Sequence, residues 1–219
     1  MSDSLNGSEG KNMKIERFVL GPIETNCYVV VNEDTKECFA VDMAYCPQEY
    51  VDHIREQGYQ MKALFLTHGH FDHIGGVKAV FEKTGAKVLI SKEDEPMLSS
   101  SKLSLAAFCG GVQNNTAAYG NVADGDVITL GESKIKVIAT PGHTKGGVCY
   151  VCDNNVFTGD TMFFCSCGRT DFPGGSSQEI MQSLKKIADL KGDLTVYPGH
   201  DRFSSLDFER ANNPFLNRA

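Results

Sequence analysis

The strongest constraint on the fold is a repeated layout in which a short β-rich run ends directly in a histidine or an aspartate. The segment 67–73, Thr-His-Gly-His-Phe-Asp-His, follows the apolar run 62–66, and His143, Asp160 and His200 follow later runs in the same way. Five of the six histidines lie in these places. The layout predicts four loops that leave strand ends and carry polar side chains to a shared centre.

The rest of the chain predicts a mixed α/β fold made of many short strands. Apolar alternation with turn residues between the runs indicates strands, the first three forming an antiparallel meander, whereas wider apolar spacing with capping residues indicates helices. No linker rich in Pro, Gly or Ser divides the sequence, so we predict one domain over residues 13–219 after a disordered tail at 1–12. The predicted strands are 15–20, 27–31, 38–41, 62–66, 87–90, 127–130, 134–139, 147–151, 156–158 and 194–197, and the predicted helices are 47–57, 77–84, 92–98 and 178–190.

Composition excludes several classes of protein. Of the 219 residues, 41% are hydrophobic and 22% are charged, which is ordinary for a globular chain. A net charge of -7 gives no basic footprint for nucleic acid, so we expect no nucleic-acid partner. No apolar run approaches the roughly 20 residues that span a bilayer, and the first residues form no signal peptide. We therefore expect a cytoplasmic protein with no membrane partner.

The clustered residues are of the types that bind metal ions. Residues two apart in an extended segment point the same way, so His68 and His70 could reach one ion, whereas Asp72 and His73 need a bend after Phe71. A glycine before each of the three later residues would let the backbone turn sharply. Imidazole and carboxylate suit zinc, iron or manganese, and seven candidates exceed the ligands of one catalytic zinc, so two divalent ions are the simpler count. The seven candidates are His68, His70, Asp72, His73, His143, Asp160 and His200.

These motifs resemble those of the metallo-β-lactamase superfamily over residues 14–216. The His-X-His-X-Asp-His signature lies at 68–73, and Gly-His-Thr, Gly-Asp-Thr and Gly-His follow in the family's order. Cys-Gly-Arg-Thr-Asp-Phe-Pro at 167–173 and Asn-Pro-Phe-Leu at 213–216 are similar to the short glyoxalase II-like hydrolases. The resemblance implies an α/β fold with a four-layer αββα sandwich.

The resemblance also implies which residues bind which ion. It gives a first metal to His68, His70 and His143, and it makes Asp160 the bridge to the second. Zinc is the expected metal, with iron or manganese as alternatives. The remaining ligands, those of the second metal, are Asp72, His73 and His200.

We therefore expect a dinuclear metal-dependent hydrolase of a small anionic thioester, similar to S-lactoylglutathione, in which a metal-bridging hydroxide attacks the carbonyl. Asp72 would orient the hydroxide and take a proton, and a thiolate leaving group, whose thiol pKa is near 8.5, needs no strong general acid. Lys145, one residue from Thr144 beside the His143 loop, is a candidate substrate contact, and the resemblance implies a second, basic contact at Arg169. Lys145 could instead be merely solvated, and Arg169 could instead pair with Asp171.

Other interpretations stay open at this point. A mononuclear Fe(II) persulfide dioxygenase shares much of the same motif, and esters or lactones could replace the thioester. The eight cysteines, among them the pairs Cys149/Cys152 and Cys165/Cys167, would suit a thiol-rich redox or metal-storage protein. Because residues 148–151 read as a strand, whereas Cys-X-X-Cys sites normally lie on turns or at helix starts, we do not favour a zinc or redox site at Cys149 and Cys152. The weakly patterned stretch 99–124 is a candidate lid.

Overall fold

The structure, a computed structural model, describes residues 3–6, 13–131 and 133–216. The chain forms two compact units. The first comprises Met1–Ile90 and Glu95–Asn121, and the second comprises Ser91–Asp94 and Val122–Ala219. Each unit is built around its own sheet and hydrophobic core. A single domain over residues 13–219 stays a prediction.

The first sheet begins with the predicted antiparallel meander and continues into parallel strands. β2, β3 and β4 pair antiparallel in sequence order, and β5 and β6 then add in parallel. Six of the eight β3 residues are hydrophobic or β-branched and seven are buried, as expected for a central strand. The strands are β1 (Asp3–Asn6), β2 (Met13–Leu20), β3 (Thr25–Asn32), β4 (Glu37–Val41), β5 (Gln60–Phe65), β6 (Lys87–Ser91) and β7 (Gly120–Val122).

Short helices connect and cover the strands of this sheet. α1 starts after Pro47, and α3 ends at Gly85, whose positive φ of 70° is the usual left-handed stop. Tyr50 of α1 and Val77 of α3 pack into the core with the strands. The helices are α1 (Gln48–Glu56), α2 (Phe71–Ile74), α3 (Val77–Thr84) and α4 (Ala106–Cys109), with a 3₁₀ helix at Glu95–Ser99.

The second sheet has the order β15-β14-β11-β10-β9-β8, in which only β11 and β14 pair in parallel. Hydroxyl groups cap both of its helices: Ser176 accepts a hydrogen bond from the Glu179 amide, and Ser205 accepts one from the Phe208 amide. The elements are β8 (Val127–Leu130), β9 (Ser133–Ala139), β10 (Val148–Cys152), β11 (Asn155–Gly159), the hairpin β12 (Met162–Phe163) and β13 (Ser166–Cys167), α5 (Ser177–Ala188), β14 (Thr195–Pro198), β15 (Ser204–Ser205) and α6 (Leu206–Asn212).

The predicted strands and the three longer helices are present, with ends shifted by one or two residues. The helix predicted at 92–98 is wrong, because only a 3₁₀ helix forms at Glu95–Ser99, where Pro96 restricts the backbone. Asp3–Asn6 pairs with β2 although we expected a disordered tail, since ladder hydrogen bonds use the main chain whatever the side chains are. The other residues of the 1–12 tail lie outside the described residues.

The eight cysteines are free thiols. Cys149 and Cys152 both lie on β10, which extends one residue past the predicted end of this strand. Burial raises the pKa of the Cys149 thiol to about 11 and that of Cys38 to about 12, so both stay protonated at neutral pH. Protonated, buried thiols are poor metal ligands and nucleophiles, which favours packing roles for these two residues. In the described ranges no helix is long and apolar enough to cross a membrane.

A buried carboxylate joins β2 to α1 in the first unit. Glu16 contacts Lys14 Nζ at 2.7 Å and His53 Nε2 at 2.7 Å, and it accepts a hydrogen bond from the Tyr59 hydroxyl at 3.0 Å. Burial alone would raise the pKa of Glu16, but the hydrogen bonds from Lys14, His53 and Tyr59 outweigh it and hold the pKa below its ordinary value of 4.5. The ionised form of Glu16 therefore stabilises the folded state.

We expect Glu16→Gln to lower the free energy of unfolding by about 1–3 kcal/mol at neutral pH, because a buried network loses a charged acceptor. A group whose pKa is lowered on folding stabilises above its unfolded value, and this stabilisation is lost as the pH falls through the folded value. The deficit of Glu16→Gln should therefore shrink below pH 4.5, as measured by urea denaturation. The exposed Glu56→Gln is the control. An equal deficit at neutral and acid pH would contradict this account.

Candidate metal centre

The His-X-His-X-Asp-His segment of the first unit follows the end of β5. His68 and His70 lie in the extended stretch before α2, and their rings are 4.8 Å apart at 90°. α2 then begins at Phe71, so Asp72 and His73 lie in its first turn, with His73 Nε2 3.5 Å from Asp72 Oδ2. Candidate ligand atoms of His68 lie within 4.8 Å of those of both His70 and His73. The bend expected after Phe71 is therefore present as the start of a helix.

Asp42, at the end of β4, holds this segment in place. Its carboxylate accepts hydrogen bonds from the Thr67 amide at 2.8 Å, the Thr67 hydroxyl at 2.7 Å and His73 Nδ1 at 2.8 Å. Since the Thr67 hydroxyl proton goes to Asp42, its oxygen can accept from His68 Nδ1, 3.1 Å away. In the neutral imidazoles of His68 and His73 the other nitrogen, Nε2, then carries the lone pair that a metal needs.

The second unit brings its own three candidates together. His143, Asp160 and His200 follow β9, β11 and β14, as the sequence layout predicts. His143 Nε2 lies 3.4 Å from Asp160 Oδ2, and His200 Nε2 lies 3.7 Å from Asp160 Oδ1. Each carboxylate oxygen therefore faces a different imidazole. His143 Nδ1 donates to the Arg169 carbonyl at 2.7 Å, which puts the lone pair of the ring on Nε2.

The loop that carries His143 is fixed on both sides. Gly142 has a φ of 135°, a region that favours glycine, and a Cβ there would clash with the Ile180 backbone. On the other side the buried Asp94 accepts hydrogen bonds from the Thr144 hydroxyl at 2.7 Å and the Gly146 amide at 2.9 Å. The backbone on both sides of His143 is therefore fixed, which limits where its ring can lie.

The candidate ligands of each unit form a donor set, and the chemistry of both sets fits divalent cations. The first set is His68, His70, Asp72 and His73, and the second is His143, Asp160 and His200. Charge-assisted hydrogen bonds are about 2.7–2.9 Å long, shorter than the 3.5 Å from His73 to Asp72 and the 3.4 Å from His143 to Asp160. Two ligands of one tetrahedral zinc with bonds of roughly 2.0–2.1 Å lie about 3.4 Å apart. Imidazole nitrogens with their lone pairs facing carboxylates at this spacing are an arrangement that a cation stabilises. The roles of the seven residues as ligands stay predictions.

The two predicted substrate contacts differ in their surroundings. Lys145 is exposed in the loop after His143. The Arg169 guanidinium donates to both oxygens of Asp171, at 2.7 and 2.6 Å, and packs 4.1 Å from the centre of the Phe172 ring. This hydrogen-bonded pairing lowers the pKa of Asp171 to about 2. The alternative pairing of Arg169 with Asp171 is therefore present, whereas contact of either cation with a substrate stays a prediction.

Sequence reasoning missed Asp42, which hydrogen-bonds to His73 Nδ1, and Asp94, which holds the loop after His143. The available signal for Asp42 was an acidic residue directly after the buried run of β4, the same layout that identified Asp160. Asp94 follows β6 by three residues, and its partner Thr144 lies 50 positions later. No local pattern joins residues so far apart in sequence.

The sequence matches the metallo-beta-lactamase superfamily over residues 20–200, and the chain belongs to that superfamily of metallo-hydrolases, most of whose members are enzymes. The probable metallo-hydrolase YqgX of Bacillus subtilis is 30% identical over 209 residues, which cover 94% of this chain and 98% of YqgX. Hydroxyacylglutathione hydrolase GloC of Haemophilus influenzae is 29% identical over 211 residues, covering 94% of this chain and 99% of GloC.

Solved structures agree with this assignment. BLEG-1, a B3 metallo-beta-lactamase, has a TM-score of 0.88 at 31% identity over 92% of this chain and 99% of its own. TTHA1623 in a di-iron-bound form has a TM-score of 0.81 at 30% identity, covering 91% and 99% of the two chains. ETHE1 from Myxococcus xanthus has a TM-score of 0.75 at 29% identity, covering 93% and 84%. The predicted fold class, the mixed α/β sandwich of this superfamily, is confirmed.

We expect Asp42→Asn and Asp94→Asn each to weaken zinc binding by about 10- to 100-fold, since groups that orient metal-binding histidines have effects of this size. At position 42, the NH₂ group of asparagine would face one of the donors that Asp42 now accepts from, Thr67 or His73. At position 94, the substitution would remove the charged acceptor of the Thr144 hydroxyl and the Gly146 amide. Competition titration with a chromophoric chelator measures the affinity. The exposed Asp34→Asn is the control, and unchanged zinc affinity in both buried variants would contradict the orienting role.

Proposed function

We propose that the chain is a dinuclear metal-dependent hydrolase of a small thioester similar to S-lactoylglutathione. The observation that carries this proposal is the pair of donor sets, each held by hydrogen bonds that direct imidazole Nε2 atoms outward. Full-length similarity to GloC, a hydroxyacylglutathione hydrolase, supports the thioester class. No nucleic acid is part of the proposal.

The proposed ligand assignment pairs residues from both units. His68, His70 and His143 would hold the first ion, and Asp160 would be shared with the second. Support comes from the paired spacing within each set and from the two oxygens of Asp160, which face different histidines. Asp72, His73 and His200 would hold the second ion. We propose zinc, with iron as the alternative because TTHA1623 has a di-iron-bound form.

Divalent ions bound at these residues would supply hydroxide at neutral pH, because metal coordination lowers the pKa of water from 15.7 towards about 7. Asp72 would orient the nucleophile and accept a proton, since its carboxylate is partly exposed and lies 3.5 Å from His73 Nε2. The leaving thiolate needs no protonation by a strong acid. With two divalent ions, two carboxylates and one hydroxide, the site would carry a net charge of about +1, which would attract an anionic substrate despite the acidic chain.

Lys145 and Arg169 are the proposed contacts for the anionic part of the substrate. Lys145 is exposed beside the His143 loop, and Arg169 remains 58% exposed while it pairs with Asp171. An exposed cation beside an anionic carboxylate of the substrate contributes modestly to binding. We expect Lys145→Ala to raise the KM for S-lactoylglutathione about two- to fivefold with kcat unchanged, as steady-state kinetics would measure. A fall in kcat with no change in KM would contradict a binding role.

Hydrolysis of S-lactoylglutathione by the full chain tests the proposed function. We expect turnover that chelation reduces at least a hundredfold and that zinc restores. His68→Ala and Asp160→Ala should reduce kcat/KM by a similar factor, because each removes a proposed ligand. His53→Gln is the control, since His53 lies in α1 outside both donor sets. Chelator-resistant hydrolysis, or a matched ester or lactone preferred over the thioester, would contradict the proposal.

A mononuclear Fe(II) persulfide dioxygenase is the second candidate, and the likeness to ETHE1 favours it. The two candidates differ in metal content and in the second substrate. The dioxygenase would bind one iron and consume oxygen together with glutathione persulfide. The hydrolase would bind two ions and consume water together with the thioester, without oxygen uptake. Oxygen-electrode measurements on the iron-loaded chain separate them.

A further inference from the structure

A small cavity in the first unit borders Asp72, the proposed catalytic carboxylate. Its volume is about 130 Å³. The side chains of Pro22, Ile23, Phe71 and Val112 line it, and Asp72 is its charged member. The remaining lining residues are Gly21, Thr25, Ala44, Gly75, Gly110 and Gly111. Apart from Asp72 the lining is therefore apolar or glycine, with one threonine.

The cavity walls come from separate segments. The β2–β3 turn supplies Pro22 and Ile23, and α2 supplies Phe71. The third wall is residues 110–112, part of the stretch predicted to form a lid. A Cβ at Gly111 would clash with the Phe71 ring, so glycine at this position allows the backbone to lie against that ring. Nothing in the proposed metal chemistry requires this wall.

We propose that this cavity is the acyl subsite of the enzyme and that it selects an apolar acyl group of about four to six carbons. The inference rests on the proposed thioesterase function. An engineered apolar cavity of about 150 Å³ in another protein holds benzene, so a cavity of this size takes a group of similar bulk. Because Asp72 forms part of the wall, an acyl chain in the cavity has its carbonyl next to that carboxylate.

The lactoyl group fills this cavity poorly. It has three carbons, and its hydroxyl would meet the apolar side chains of Pro22, Ile23 and Phe71. Each methylene that is transferred from water into an apolar cavity improves binding about three- to fourfold. A short alkyl acyl group therefore gains over lactoyl until the cavity is full, and longer chains then extend past Ile23 and Val112 into solvent or clash.

A series of S-acylglutathiones tests the subsite with the thiol carrier held constant. We expect kcat/KM of the zinc-loaded full chain to rise at least tenfold from acetyl to butanoyl or hexanoyl and to fall for decanoyl, with lactoyl near acetyl. Ile23→Phe should fill the cavity and lower the hexanoyl-to-acetyl ratio of kcat/KM at least tenfold. Ile23 is 47% exposed in a turn, so the larger side chain does not disturb the core.

Two further variants make the result independent of one substitution. Val112→Phe fills the cavity from a different wall segment and should lower the same ratio. Val19→Phe is the matched control, because Val19 has the same 47% exposure but lies on β2 outside the lining, and it should leave the ratio unchanged.

Three outcomes would overturn the inference. A flat chain-length profile with active thioester hydrolysis removes the subsite and leaves the proposed function standing. Equal effects of Ile23→Phe and Val19→Phe on the hexanoyl-to-acetyl ratio also remove it. If no member of the series is hydrolysed, the thioesterase function fails and the acyl subsite fails with it.

Discussion

The first donor set depends on the hydrogen bonds that the Asp42 carboxylate accepts. This carboxylate is buried at the end of β4 and accepts three hydrogen bonds, two from Thr67 and one from His73. Hydrogen bonds to a charged group contribute about 1.5–3 kcal/mol each, which offsets the cost of burying the carboxylate. Because these bonds also fix the tautomers of His68 and His73, the same contacts that stabilise the fold prepare the nitrogens for a metal.

In the second unit, different groups fix the orientation of a histidine ring. His143 donates Nδ1–H to the Arg169 carbonyl, and Asp94 accepts two hydrogen bonds from the loop that follows His143. Both units thus place a histidine after a strand, commit Nδ1 to an oxygen and direct Nε2 outward. This shared arrangement explains why candidate ligands follow strand ends, where the rigid ladder stops and a short loop can present a side chain with little freedom.

Much of the fold, and the grouping of the candidate ligands, could be predicted from sequence because both depend on local patterns. Alternating apolar runs located the strands, and the spacing of His68 and His70 predicted their common orientation. α2 escaped prediction because four residues are too few to show helical periodicity. Asp94 and the cavity at Ile23 and Val112 escaped because each depends on segments far apart in sequence, which only the folded chain brings together.

The central claim is that the two donor sets together bind two metal ions. Anomalous X-ray diffraction from crystals of the zinc-loaded chain measures this most directly. The account predicts two peaks, one bonded to His68, His70 and His143 and the other to Asp72, His73 and His200, with Asp160 bonded to both. A single peak, or zinc bound at cysteines such as Cys165 and Cys167, would contradict it.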